Sequence, residues 1–259
     1  MIDISNIDHV VMIAFWLSFT RWVTILVQLP IYDHQSIPGM VKIFSSLVIA
    51  YAFFPHTQGI VEKEIYHLGV ENFWALTIVH ALIGLTIGFV VKSLMGIFVS
   101  AGMIITQQLG FGAMRYFDPT MSQQIGPFEK LIHITFIVII IGSGAILPMF
   151  KGIFISFQTI NIFSLERMVQ SPQMFTALFK NIFASSILLA SPIIFTNMLI
   201  TAIMGIIART VPQMNVLMVS FVINIGLGLL VFFMVSNEFF VVAYQIYVKN
   251  LASWFQFIT

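Results

Sequence analysis

Apolar positions in this chain run on with few polar interruptions. Uncharged stretches extend over Ser93–Met114, Leu131–Phe150, Asn181–Ala208 and Thr210–Asn237, and Val10–Ile31 joins them with one break at Arg21. A helix needs about 20 apolar residues to cross the hydrocarbon core of a bilayer, so each has the length of a span. Val41–Pro55 is shorter, at about 15 residues. Phe73–Met114 is longer, and as one straight helix would reach about 63 Å, twice the hydrocarbon thickness. That stretch is predicted to break or to project from the membrane. The alternation of a lipid-facing barrel strand is nowhere visible. The pattern predicts an all-α integral membrane protein of about six apolar helical blocks.

The blocks are poor conventional spans. Arg21, Lys92 and Lys151 lie within or at the edge of apolar stretches, where a charge costs about 2.5–3.5 kcal/mol on insertion scales. Pro30, Pro148, Pro192 and Pro212 fall where helices should continue, and each removes a hydrogen bond that lipid cannot replace. Gly84, Gly88, Gly96 and Ser100 form a small-residue series that lets another helix approach closely. Two readings stay open: kinked helices packed on one another, or helices packed against other subunits around a polar path. His56–Asn72, with Glu62, Lys63, Glu64 and Glu71, is predicted to be a solvated connector, as is Gln158–Gln173 with Glu166 and Arg167. With no internal repeat and no Gly/Ser linker, residues 1–259 read as a single domain.

Composition sharpens the class. Of 259 residues 59% are apolar and only 8% charged, with mean hydropathy +1.02; soluble domains carry about 25% charged residues. Eleven Lys/Arg and ten Asp/Glu cannot clothe a water-soluble surface of this size. An ordinary cytosolic enzyme, a disordered chain and a nucleic-acid binder are thereby excluded. The absence of cysteine excludes disulfides and thiolate chemistry. The first apolar stretch follows Asp3 and Asp8 rather than a basic segment and lacks a small-residue exit, so it is predicted to be retained, with the amino terminus outside.

One segment, Gln107–Glu129, does not fit a span. Gly110 and Gly112 loosen the helix, and the residue before Pro119 is pushed toward extended geometry. The segment still carries Phe111, Met114, Tyr116 and Phe117, with glutamines at 107, 108, 123 and 124. Non-helical backbone at membrane depth must be buried by protein or lined by water. Apolar groups on glycine hinges suit a deformable seal that closes a wet channel by excluding water. A re-entrant or extramembrane turn is the other reading.

Catalytic chemistry finds little support. His80 and His133 lie in apolar blocks, but no His-x-x-x-His, nucleophile elbow or phosphate loop is present. Asp3, Asp8, Asp33 and Asp118 all fall at or beyond the ends of blocks. No enzyme activity, metal or cofactor is predicted. A secondary transporter of a small solute or ion is the rival, since broken helices around prolines serve such carriers, although no two related halves align here.

The block Ile206–Ile225, reading I-I-A-R-T-V-P-Q-M-N-V-L-M-V-S-F-V-I-N-I, resembles the signature of the flagellar biosynthetic protein FliR family, which also covers the equivalent protein of virulence type III secretion systems. Arg209, Pro212, Gln213 and Asn215 carry the match. Upstream, L-G-F-G-A-M-R-Y-F-D-P is similar to the family's glycine-rich segment, ending in Asp118-Pro119. Arg21, Pro30, Ile37-Pro38, Val41-Lys42, Gly84 and Gly88-Phe89 also stand where the family has them, so the resemblance runs nearly end to end.

This resemblance implies a single-copy export-gate subunit in the bacterial inner membrane, at the flagellar basal body. It implies bent helical hairpins like a fusion of one FliP-like and one FliQ-like unit. Partners implied are FliP-like and FliQ-like subunits, an FlhB-like protein at the cytoplasmic mouth and unfolded export substrates, with no cofactor. Gly110, Phe111, Gly112, Met114, Arg115, Phe117, Asp118 and Pro119 become the pore plug. Arg21, Pro38, Gly84, Gly88, Arg209, Pro212, Gln213 and Asn215 become subunit-contact or signature positions. Arg115 either pairs with Asp118 or faces the lumen.

Overall fold

The computed structural model describes residues 9–29, 32, 37–111, 126–160 and 172–258. Among them are seven α-helices and no strand: α1 (His9–Leu26), α2 (Gly39–Leu68), α3 (Phe73–Gln108), α4 (Pro127–Gly142), α5 (Ile146–Thr159), α6 (Pro172–Thr210) and α7 (Val216–Ile258). Five of them are long and apolar enough to cross a membrane, or up to six spans if α4 and α5 count as one broken span. The all-α membrane class read from the apolar pattern is therefore the class observed.

Two boundaries differ from the sequence expectation, and the long stretch from Phe73 takes one of its two expected forms, a helix too long for the bilayer. The short block Val41–Pro55 and the connector after it form one helix, α2, of 30 residues with Pro55 inside it. Just past the proline the Thr57 hydroxyl turns back to the Phe54 carbonyl at 3.3 Å, and Glu64 lies buried rather than solvated. The stretch from Phe73 does not break at Lys92, which stays exposed; α3 runs unbroken for 36 residues, about 54 Å. Leu131–Phe150 divides instead at Ser143–Ala145, where Gly144 takes a left-handed φ of +73° open to glycine.

Proline placement has a local logic. Pro148 is the third residue of α5, in the first turn, where a missing N–H breaks no helical bond. Pro192 sits inside α6, and the Ser191 hydroxyl donates at 2.7 Å to the Leu188 carbonyl, the acceptor that a residue at 192 would otherwise fill. The polar neighbour thus repairs the bond that lipid could not.

The chain divides into two compact units: Met1–Leu94 with Gly144–Phe175 and Asn250–Thr259, and Met95–Ser143 with Thr176–Lys249. In the first, α1 lays Ala14, Leu17, Trp22 and Ile25 into the core, and Trp22 stacks on Phe53 with centroids 5.3 Å apart. Gly84 and Gly88 give α3 the clearance to press on α1. A Cβ at Gly84 would overlap Thr24 Oγ1 and stand 2.7 Å from the Arg21 carbonyl oxygen, and one at Gly88 would stand 2.6 Å from Gln28 Nε2. Gly96, in the same series, has open space where a Cβ would lie. In the second unit Phe98, Phe136 and Tyr247 form the aromatic centre, and the Ser186 hydroxyl of α6 donates to the Ile97 carbonyl at 3.0 Å.

Candidate functional site

The candidate plug begins in the second unit, at the end of α3. The helix closes with Leu109 N–H on the Ile105 carbonyl at 2.9 Å and Gly110 N–H on the Gln107 carbonyl at 3.1 Å. Gly110 then turns left-handed at φ +88°, the usual glycine exit from a helix. A Cβ there would stand 3.3 Å from the Phe221 ring of α7. Leu109 is fully buried and occupies the space a side chain at Gly228 would need. Phe111 follows, half-buried. Gly112, Met114, Arg115, Phe117, Asp118 and Pro119 lie outside the described residues.

The signature residues build the turn that joins α6 to α7. Arg209 stands in the last turn of α6, where a cation meets the negative end of the helix dipole. Pro212 cannot continue that helix. Asn215 starts the next one, its Oδ1 accepting the Met218 N–H at 3.3 Å, as an N-cap does. Arg209, Pro212, Gln213 and Asn215 are all exposed. Their spacing is therefore explained by the turn, and their side chains remain on the surface.

Arg21 answers a different need. Its guanidinium, fully buried in the first unit, donates through Nη1 to the Ser156 carbonyl at 2.9 Å and through Nη2 to the Ile160 carbonyl at 3.2 Å. Those carbonyls lie at the C-terminal end of α5, where Ile160 closes the helix with its own N–H on the Ser156 carbonyl at 3.0 Å and Arg21 adds further donors. The Phe157 ring lies 4.3 Å beneath the cation. Pro38 precedes the first turn of α2.

The sequence pattern did not reveal a second buried polar group in the first unit. Glu64 of α2 and His80 of α3 meet at 3.0 Å, Oε2 to Nε2, and both are buried. His80 stood out as a polar residue in an apolar block, but the only sign of its partner was a charge in what read as a connector. Lys42, near the start of α2, is also buried, and among the described residues its Nζ has no hydrogen-bond partner.

Other cavities offer less chemistry. An open cavity of about 590 Å³ in the first unit is lined by Val11, Phe15, Trp16, Tyr51, Phe54 and Phe73 among others, with no ionisable carboxylate, amine or imidazole. Solute sites need convergent polar groups, and this one lacks them. Among the described residues no group of three or more His, Asp or Glu is placed to hold a metal.

The model of the family described as bacterial export proteins, family 1, matches residues 12–249. The chain belongs to that family. Its relatives agree across nearly the whole length. The flagellar biosynthetic protein FliR of Bacillus subtilis is 25% identical over 240 residues, covering 90% of each chain. FliR of Aquifex aeolicus is 25% identical, over 85% of this chain and 84% of its own. The surface presentation of antigens protein SpaR of Shigella flexneri is 23% identical, over 90% of this chain and 88% of its own. For this family 1 export protein the matched span includes Arg21, the glycines that seat α3 on α1, the insert and the α6–α7 turn.

Proposed function

We propose that this chain is a subunit of the flagellar or type III protein export gate in the bacterial inner membrane. It forms the secretion channel together with FliP-like and FliQ-like chains, with an FlhB-like protein at the cytoplasmic mouth, and unfolded substrates pass through. The supporting observation is the outward surface of α6 and α7. These helices have 39 and 43 residues, about 58 and 64 Å. Large apolar side chains face outward along them, from Phe179, Phe183 and Phe195 to Met218, Phe233 and Met234. A hydrocarbon core of about 30 Å covers half that length. The rest needs protein, which partner helices supply. The exposed Arg209, Gln213 and Asn215 serve subunit contacts in this reading.

Gentle detergent extraction tests it. The expected product is a large hetero-oligomer holding this chain with FliP-like and FliQ-like subunits. A monomer or symmetric homodimer would overturn the proposal and favour a solute carrier.

In the same reading the insert from Leu109 to Asp118 closes the pore and moves aside during export. Apolar groups on glycine hinges exclude water, and no cofactor is needed for that. Deleting the insert should raise small-molecule leakage through the assembled complex. Unchanged leakage would overturn the plug assignment.

A further inference from the structure

The plug reading leaves open what fixes the point from which the insert departs. The end of α3 is held from two sides. On one side stands Asn197, an amide in the uncharged part of α6. Its Nδ2 donates to the Gln108 backbone carbonyl at 3.0 Å and also meets Gln108 Oε1. Its Oδ1 accepts from the Thr201 hydroxyl at 3.2 Å. Both ends of the amide are used, so its orientation is fixed. Gln108 is the last residue of α3, and its carbonyl is among those a helix end leaves unpaired. An amide in an apolar helix is costly unless it finds such a partner.

On the other side stands α7. Leu109 fills the notch at Gly228, and Gly110 lies flat against Phe221 and Ile225. Any side chain at 228 must displace Leu109, which is 0% exposed. The two grips fall on consecutive residues, immediately before the backbone turns left-handed at Gly110.

We propose that Asn197 and Gly228 are positioning residues for export: together they anchor the root of the insert so that it departs over the pore. This rests on the plug reading. Asn197 supplies direction, through hydrogen bonds to a helix end. Gly228 supplies depth, through the absence of a side chain.

The test compares five variants in the native membrane of the host, with small-molecule leakage and the amount of assembled complex both measured. They are deletion of the insert, Asn197→Leu, Asn197→Asp, Gly228→Ala and Thr196→Val. Asn197→Asp keeps the shape and loses the donor. Among the described residues the Thr196 hydroxyl bonds within α6, to the Pro192 carbonyl at 2.8 Å, so its loss should leave leakage unchanged. The expected result is leakage raised about 3- to 10-fold by both Asn197 variants, the shift that follows from one lost hydrogen bond. Gly228→Ala should raise it likewise, with the amount of complex unchanged in all three. If the deletion leaks and the Asn197 and Gly228 variants do not, the anchor is overturned and the plug stands. Should leakage change only in proportion to lost complex, these residues are merely structural and the anchor is again overturned. A deletion without leakage overturns the plug itself.

Discussion

His80 Nε2 and Glu64 Oε2 lie 3.0 Å apart, both buried between α2 and α3 in the unit that also buries Arg21. Among the described residues His80 Nδ1 has no partner. A neutral imidazole donating through Nε2 leaves only a lone pair unmet at Nδ1, whereas an imidazolium would bury an unpaired N–H.

Each partner strands the other when it is removed. Glu64→Leu leaves both ring nitrogens of His80 unmet, and His80→Leu leaves a buried carboxyl without its donor, so each should cost about 1–3 kcal/mol. The double variant, apolar at both positions, should lose less than the sum of the two in thermal unfolding of the purified complex. Losses that simply add would mean that the two side chains do not depend on one another.

Arg21→Lys should behave as a disruptive change. One ammonium on a flexible stem does not reproduce a planar fork directed at the Ser156 and Ile160 carbonyls over an aromatic ring. Losing one charged hydrogen bond predicts destabilisation of about 1.5–3 kcal/mol. Hydrogen exchange should then rise at the C-terminal turn of α5 and not across α7. Protection unchanged at 156–160 would contradict the capping role.

The small-residue series in α3 should split. Gly84→Val forces α3 off α1 and should cost about 1–3 kcal/mol, the usual effect of overpacking. Gly96→Ala, with open space around it, should be neutral or stabilise by about 0.5–1 kcal/mol through helix propensity. Equal sensitivity at both sites, read as yield of folded protein, would contradict the packing described.

Lys42 offers a change in the opposite direction. Its buried ammonium has no partner among the described residues, and burying a charge unpaired is costly. Lys42→Met should raise the thermal midpoint of the purified chain. A lower midpoint would show that Lys42 is paired in solution.

Much of this was legible in the sequence. Apolar runs identified the helices because lipid demands continuous apolar length, and Gly110 and Gly112 marked a helix exit, whereas the turn at Pro212 stood where a helix was expected to continue. Boundaries were less legible where polar side chains make local repairs. Pro55 did not end α2, since helices continue through proline where nearby groups are satisfied. Glu64 read as solvated because its partner, His80, lies on the next helix and meets it only on folding. Arg21 itself stood out as a misplaced charge, but its acceptors are backbone carbonyls, which leave no trace in residue identity. Asn197 was hidden for the same reason: its main acceptor is the Gln108 carbonyl.

The most direct measurement is a photo-cross-linking map from Phe111 and Phe117 in the native, assembled complex. An insert that closes a shared pore predicts cross-links to several partner chains around one axis, and to substrate arrested in transit. Cross-links to lipid alone, or none to any partner chain or substrate, would contradict the account.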